Sequence, residues 1–450
     1  MRVVEVSPGV FESVQADICL VLHVDDYLCS SSVPTLEMNG LERPGGMAEE
    51  ILEPMLKPEG YVLKSEIVIR DGKSVSYFVG LEIRQSADGF HVYVGVEGFV
   101  ETLVRSVMGE DMEDEEWDTL TEQWSKQRDL KVPMKPGLLL VPTEEGEKVY
   151  TKDEWPYRRV IGGTLWSLVV RLDVSQTVRQ LSRFCLKPGE QHVECSKHML
   201  KYLYLNKELC LHYSAEPGEN NLNIPGKDEK TLLNDLSQFT SSLYGGKVYK
   251  VAEGKFVDAA QYQALKTAGV LEDGKMRLDD EGNVIDVDVS YLLFQDASFQ
   301  TTFDFKSVSG YVDMMAHCAV NGGSHTQAVI ATSTMESEVL ATHRATQQLI
   351  HMKTLLEELG VITVMTETPS FEDNKSAKII LETPGRRKGA KHFERSLNKC
   401  HEFSLNGHVK YIYCPTKEML ADFFTKALDI VTFLKFRRVI FNEPRGGFKK

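Results

Sequence analysis

Hydrophobic and polar positions along this 450-residue chain follow two periods, and the switches between them mark its organisation. Residues 16–30, ADICLVLHVDDYLCS, set an apolar run before two aspartates and a returning apolar stretch. That order predicts a β-hairpin with Asp25 and Asp26 at its turn. Residues 46–57 (GMAEEILEPMLK) have helical spacing, and 65–94 hold three strand-like runs joined by turn signals such as Asp-Gly. An amphipathic helix is expected at 96–108, and a mostly helical stretch over 158–206. Between these lie the acidic block GEDMEDEEW and a proline-containing connection. Residues 215–228 read as loop, with short helices after them at 232–246 and 258–271. The apolar run YLLFQDASF reads as a strand, and a helix-period segment begins at STMESEVLAT.

A chain of this length exceeds one ordinary core, so two or three domains are expected. With 42% apolar and 26% charged residues it has the composition of a globular, soluble protein. It contains no run of 18 apolar residues, and its N-terminus lacks the pattern of a secretory signal, so neither a membrane partner nor secretion is expected. Eight scattered cysteines without a CxxC pair suit a reducing intracellular setting, cytoplasmic or nuclear. The net charge of −15 argues against a generic nucleic-acid binder, but the charge is unevenly spread. Residues 374–399 carry eight basic residues against two acidic ones. Lys378, Arg386, Arg387, Lys388 and Lys391 within that stretch, with Asn374 and Ser376 at its start, are the candidate nucleic-acid contacts. A helix N-cap is the other reading of Ser376.

Four carboxylates sit at turning points of the pattern: Asp296, Glu338, Asp373 and Asp422. Hard oxygen ligands of this kind hold divalent cations. Two cations about 4 Å apart can activate water and steady the leaving oxygen of a phosphodiester. In a chain with 66 acidic residues, any four acids are by themselves ordinary surface groups. The phrases around them narrow the choice. QDAS, FDFKSVSGYV, ATSTMESEVLA, EDNKSA, the KH of GAKHFERS, and CPTKEMLADFFTKAL follow one another between about residues 290 and 430. In order and spacing they resemble the RNase H domain of Ty1/copia-type retrotransposon Pol polyproteins.

The resemblance implies an α/β RNase H-like domain with a mixed five-stranded sheet and flanking helices. Before it would come a partial reverse transcriptase palm and a helical thumb/connection. The implied boundaries are 1–105 for the palm and 106–214 for the thumb/connection. An acidic insertion or linker takes 215–288, the RNase H-like domain 289–430, and a basic tail 431–450. Asp296, Glu338, Asp373 and Asp422 would bind two Mg²⁺ ions, or Mn²⁺, and cleave the RNA strand of an RNA–DNA hybrid. By the same resemblance Asp296 bridges both metals, and Asp422 serves the attacking-water side. Other polyprotein products are implied partners. The VDD turn at Asp25 and Asp26 resembles the reverse transcriptase turn. Only 24 residues precede Asp25, and the family's further aspartate lies many tens of residues upstream. The pair therefore reads as a polymerase remnant, functional only if another chain supplies the missing half.

Departures from the family pattern bear on activity. Ser298 replaces the second aspartate of the family's SDAD phrase, and Glu372 stands at the cysteine of its CDN phrase. VNGGSHTQ, residues 320–327, lacks the tryptophan and three lysines of the family's ISWKSKKQ. Weaker substrate grip follows, and with it a second reading: a catalytically inactive relic or a domesticated nucleic-acid-binding module. His192, Cys195 and His198 share one helix face at a spacing that zinc could use. No fourth ligand stands nearby, and an ordinary packed helix accounts for the same spacing.

Overall fold

The computed structural model describes residues 77–84, 91–213, 291–315, 317–356, 368–383 and 393–443 with their side chains. It adds the backbone of short strands within 3–76 and 248–276 and of a few residues at element ends. Near the start, Ile18–His23 pairs antiparallel with Asp26–Ser31, with His23 opposite Asp26. This is the expected hairpin. Asp26 opens its second strand, while Asp25 lies outside the described residues. The helical segments expected at 46–57, 232–246 and 258–271 also fall outside them.

The three expected strand runs resolve into four strands, β1 (Ile67–Arg70), β2 (Lys73–Phe78), β3 (Leu81–Gln85) and β4 (His91–Gly95). The extra strand arises because the second run, residues 73–85, is divided by a turn at Val79 and Gly80. Val79 and Gly80 both have positive φ, 51° and 80°, and close a two-residue turn between Phe78 and Leu81. Such turns match the twist of the paired strands. Helix α1 (Glu97–Met108) follows as expected. The acidic block departs from expectation: residues 114–125 form a helix, α2, and are not plain connection. Asp114, Glu115 and Glu116 fill its first turn, where the helix dipole favours negative charge. Trp117 and Trp124, two turns apart, share its buried face. Helices α3 (Tyr157–Ser167), α4 (Ser175–Ser182) and α5 (Glu190–Leu205) lead to β5 (Leu211–Ser214), which joins the first sheet in the order β5-β4-β3-β2-β1.

The second sheet carries the carboxylates. Its strands are β6 (Leu292–Ser298), β7 (Val308–Met315), β8 (Cys318–Thr326), β9 (Thr368–Glu372) and β10 (Val409–Tyr413). The order is β8-β7-β6-β9-β10, antiparallel among the first three strands and parallel among the last three. Helices α6 (Thr334–Glu358), α7 (Lys375–Glu382) and α8 (Glu394–Leu405) interleave with the strands, and α9 (Asp422–Thr425) and α10 (Ile430–Ile440) close the chain. This is the mixed five-stranded sheet expected for the region. Residues 430–440 are helical, within and just before the stretch 431–450 read from sequence as a basic tail. Asp429 caps their first turn, and Phe433, Phe436 and Ile440 bury one face at helical spacing.

Alternation along the strands assigns each side chain to one of two layers. Leu293 and Tyr311 pack against Ala345 and Leu349 of α6. Phe294, Val312 and Met314 face the other way, into a cluster shared with Val178, Leu203, Phe424 and Phe433. The second sheet and the helices at 97–205 therefore share one continuous core. Tyr213 Oη donates to the Ala319 carbonyl and so links the two sheets, and Asn442 Nδ2, just after α10, donates to the His212 carbonyl. No helix among the described residues is long and apolar enough to cross a membrane.

Candidate metal centre

Asp296 occupies the middle of the central strand β6, opposite Gly310 on β7, and is 1% exposed. Glu338 lies in the first turns of α6, whose start is fixed by a capping arrangement. Ser333 Oγ accepts the Glu336 amide, and Glu336 Oε2 accepts from the Thr332 amide and hydroxyl. Glu338 Oε2 in turn accepts the Ala297 amide at 2.8 Å, which ties α6 to β6 beside Asp296. Asp373 follows β9 directly and accepts from Thr416 Oγ1 at 2.8 Å. Asp422 opens α9 and is buried.

These elements bring the four predicted acids together. Oxygen atoms of Asp296, Asp373 and Asp422 all lie within 4.8 Å of one another, and those of Glu338, Glu372 and Asp373 form a second such group. Asp373 belongs to both. Seating α9 against the sheet requires Gly310: a Cβ there would come within 2.6 Å of Thr425, 2.8 Å of Phe424 and 2.9 Å of the Ala421 carbonyl. Thr425 then donates to Asp296 Oδ2, and Lys426 pairs with Asp422 and reaches Asp296 Oδ2 at 3.6 Å.

Burial raises the pKa of Glu338 well above its usual range, and the charges of Glu372, Asp296 and Asp373 push it further. Burial likewise raises Asp373, with Asp296 next in effect. It carries Asp422 up to about 7, again helped by Asp296, and Glu372 to about 8. Burial alone would lower the Lys426 pKa, but Asp296 and Asp422 outweigh it and the net shift is upward. Carboxylates this close and this dry repel one another, and added positive charge relieves that repulsion. The donor set is entirely hard oxygen, and two trios sharing one aspartate suit a pair of divalent cations. The residues present thus fit such ions.

Sequence reasoning missed three participants. Glu372 is fully buried, and accepts the Asn374 amide at 3.0 Å and the Thr342 hydroxyl at 3.2 Å. Its only signal was adjacency to Asp373. Thr425 and Lys426 follow Asp422 by three and four positions, a spacing that puts them on its helix face.

Among the candidate nucleic-acid contacts, Asn374 is the N-cap of α7, accepting the amides of Ser376 and Ala377. The cap expected at Ser376 belongs to Asn374, and Ser376 is exposed in the first turn. Lys378 pairs with Glu382 along the same helix. Arg386, Arg387, Lys388 and Lys391 lie outside the described residues. The trio at 192–198 is explained by packing: His192 Nε2 and His198 Nε2 face the carbonyls of Val141 and Val132, and Cys195 is buried.

The fold and the acidic centre define a mixed α/β domain with a carboxylate cluster on its central strands, and its structural neighbours are RNase H domains. They include the N-terminal RNase H domain of a Mycobacterium tuberculosis protein (TM-score 0.24, 10% identity, 31% of this chain and 91% of that one). RNase H1 of Halobacterium salinarum is another (TM-score 0.23, 14% identity, 30% and 93%). LC11-RNase H1 in complex with an RNA/DNA hybrid is a third (TM-score 0.23, 12% identity, 30% and 94%). No family model matches the chain. Its homologues are Ty1/copia-type Pol polyproteins. The Pol polyprotein of transposon RE1 from Arabidopsis thaliana is 21% identical over 422 residues, 93% of this chain. A Ty5-1 transposon protein of Saccharomyces cerevisiae is 27% identical over 148 residues, 33% of this chain and 42% of that protein. The RE2 polyprotein of Arabidopsis is 26% identical over 140 residues, 31% of this chain and 10% of the polyprotein. The chain spans 21% of the length of the RE1 polyprotein.

Proposed function

We propose that the domain over 289–430 is a Mg²⁺-dependent endoribonuclease that cleaves the RNA strand of RNA–DNA hybrids, with Mn²⁺ able to replace Mg²⁺. The reading is carried by the convergence of Asp296, Glu338, Asp373 and Asp422 on two adjoining oxygen clusters. When bound there, divalent cations supply charge neutralisation at the phosphate and an activated water. The protein's part is placement. Asp296 is held by Thr425, Glu338 by the Ala297 amide, and Asp373 by Thr416, so the acids are oriented before any ligand arrives. Glu338 and Asp373 each keep one oxygen that takes no hydrogen bond from another described residue. The exposed Ser376 hydroxyl, Asn374, Lys378 and the basic residues at 386–391 are the proposed contacts to the hybrid backbone. The 2′-hydroxyls of the RNA strand are the feature by which a hybrid differs from duplex DNA.

A second reading, a nucleic-acid-binding module without turnover, draws on β8. Gly322 and Gly323 occupy positions in VNGGSHTQ where the family has bulkier or charged residues. A Cβ at Gly322 would touch Phe424 at 3.0 Å, so that strand serves helix packing. One experiment separates the two. The protein is given a labelled RNA–DNA hybrid and Mg²⁺ beside an Asp373→Asn control. Cleavage lost in the control is expected, with a rate drop of at least about a hundredfold for losing a shared ligand. Hybrid binding without cleavage by the unaltered protein would establish the second reading.

A further inference from the structure

We infer that Lys426 is a built-in counter-cation of the carboxylate centre, whose ammonium holds the place of a divalent ion between Asp296 and Asp422 and competes with the metal for both. The inference rests on the proposed metal-dependent reading of the site.

Lys426 directly follows α9, and its amide donates to the Asp422 carbonyl, so its side chain returns over the helix that presents Asp422. Its Nζ donates to Asp422 Oδ1 and lies 3.6 Å from Asp296 Oδ2. Among the described residues it makes the only ion pairs to Asp296, Glu338, Glu372, Asp373 or Asp422. One monovalent charge thus faces five buried or half-buried carboxylates. The same two carboxylates belong to the trio of Asp296, Asp373 and Asp422 that fits a cation. An ammonium and a divalent ion therefore draw on the same carboxylates, Asp296 and Asp422. The lysine side chain is 38% exposed, so its head can leave the centre for solvent while its aliphatic stem stays on the helix. A fixed positive charge within a few ångströms lowers cation affinity unless it moves away, and moving it breaks two ion pairs. In either case the metal must overcome Lys426. In return, the metal-free fold is spared part of the repulsion among its acids.

The test is Mn²⁺ binding by calorimetry to the full chain, in wild type, Lys426→Met and Lys426→Arg, with thermal unfolding in a chelator alongside. Lys426→Met should bind Mn²⁺ at least about tenfold more tightly, and Lys426→Arg should stay within about threefold of wild type, since it keeps the charge. The metal-free melting temperature of Lys426→Met should fall, and saturating Mn²⁺ should raise it by more than it raises wild type. Equal or weaker affinity in Lys426→Met overturns the competition alone. Binding to none of the three proteins overturns it together with the metal-dependent reading. If Lys426→Met does not fold in chelator, refolding in Mn²⁺ decides: recovery of the fold supports the inference, and failure there too overturns it.

Discussion

Glu372 shows how one buried residue can couple stability to proton binding. Its folded pKa is raised to about 8 from an ordinary 4.5, mainly by burial. Between those values the folded state binds more protons than the unfolded one, so metal-free stability falls as pH rises through this window. Asp422, carried to about 7, adds to the slope. Glu372→Gln should remove this residue's share and stabilise the metal-free protein at pH 8 by on the order of 2–4 kcal/mol. Urea unfolding in chelator at pH 5.5, 7 and 8.5 measures it, and an unchanged pH slope would refute it. Metal binding has the opposite pH dependence. Because the ligands must shed protons, Mn²⁺ affinity should rise from pH 6 to pH 8, with proton release detectable in buffers of different ionisation heat.

Gly310 and α9 form the element that completes the centre. A four-residue helix has little stability alone; it is held by tertiary contacts, among them the close approach at Gly310. Gly310→Ala should cost about 1–3 kcal/mol through overpacking and displace Asp422 from Asp296. The expected signature is Mn²⁺ affinity reduced by more than the stability loss explains, while Gly407→Ala, a control at a remote turn, leaves affinity intact. The phrase SGYV was visible in sequence, but the need for that glycine was not, since it arises from a helix more than a hundred residues away. The helix at 114–125 shows a related gap. Its acidic residues dominated the pattern, and only the seven-residue spacing of Trp117 and Trp124 hinted at a buried face.

Across the whole molecule, the helices at 97–205 and the helix α10 are bound by a buried polar network as well as by the shared apolar core. Arg171 donates to both oxygens of Asp173, at 3.0 and 2.7 Å, and Tyr202 Oη donates to Asp173 Oδ2 at 2.7 Å. Arg437 of α10 reaches Tyr202 Oη at 3.3 Å and Asn206 Oδ1 at 2.8 Å, and pairs with Glu443. Asp173→Ala leaves a fully buried guanidinium without its counter-charge and should destabilise by about 3–5 kcal/mol. Because the network spans both regions, unfolding followed at Trp117 and Trp124 and by loss of Mn²⁺ binding should shift together. A shift confined to the tryptophan signal would show that the two regions unfold independently.

The strand around Asp296, the helix that begins before Glu338 and the four acids themselves were legible in the sequence, and the resemblance of the phrases around them implied the five-stranded sheet. Periodicity, turn residues and the phrases around each acid are local, and local information survives in a linear string. The fifth carboxylate, the lysine among the acids, the helical end at 430–440 and the burial joining both sheets were decided by tertiary structure. Each depends on which distant surfaces meet. Charge is the clearest case: Glu372 and Lys426 read as ordinary charged residues until folding removes the water around them and sets them among one cluster of carboxylates.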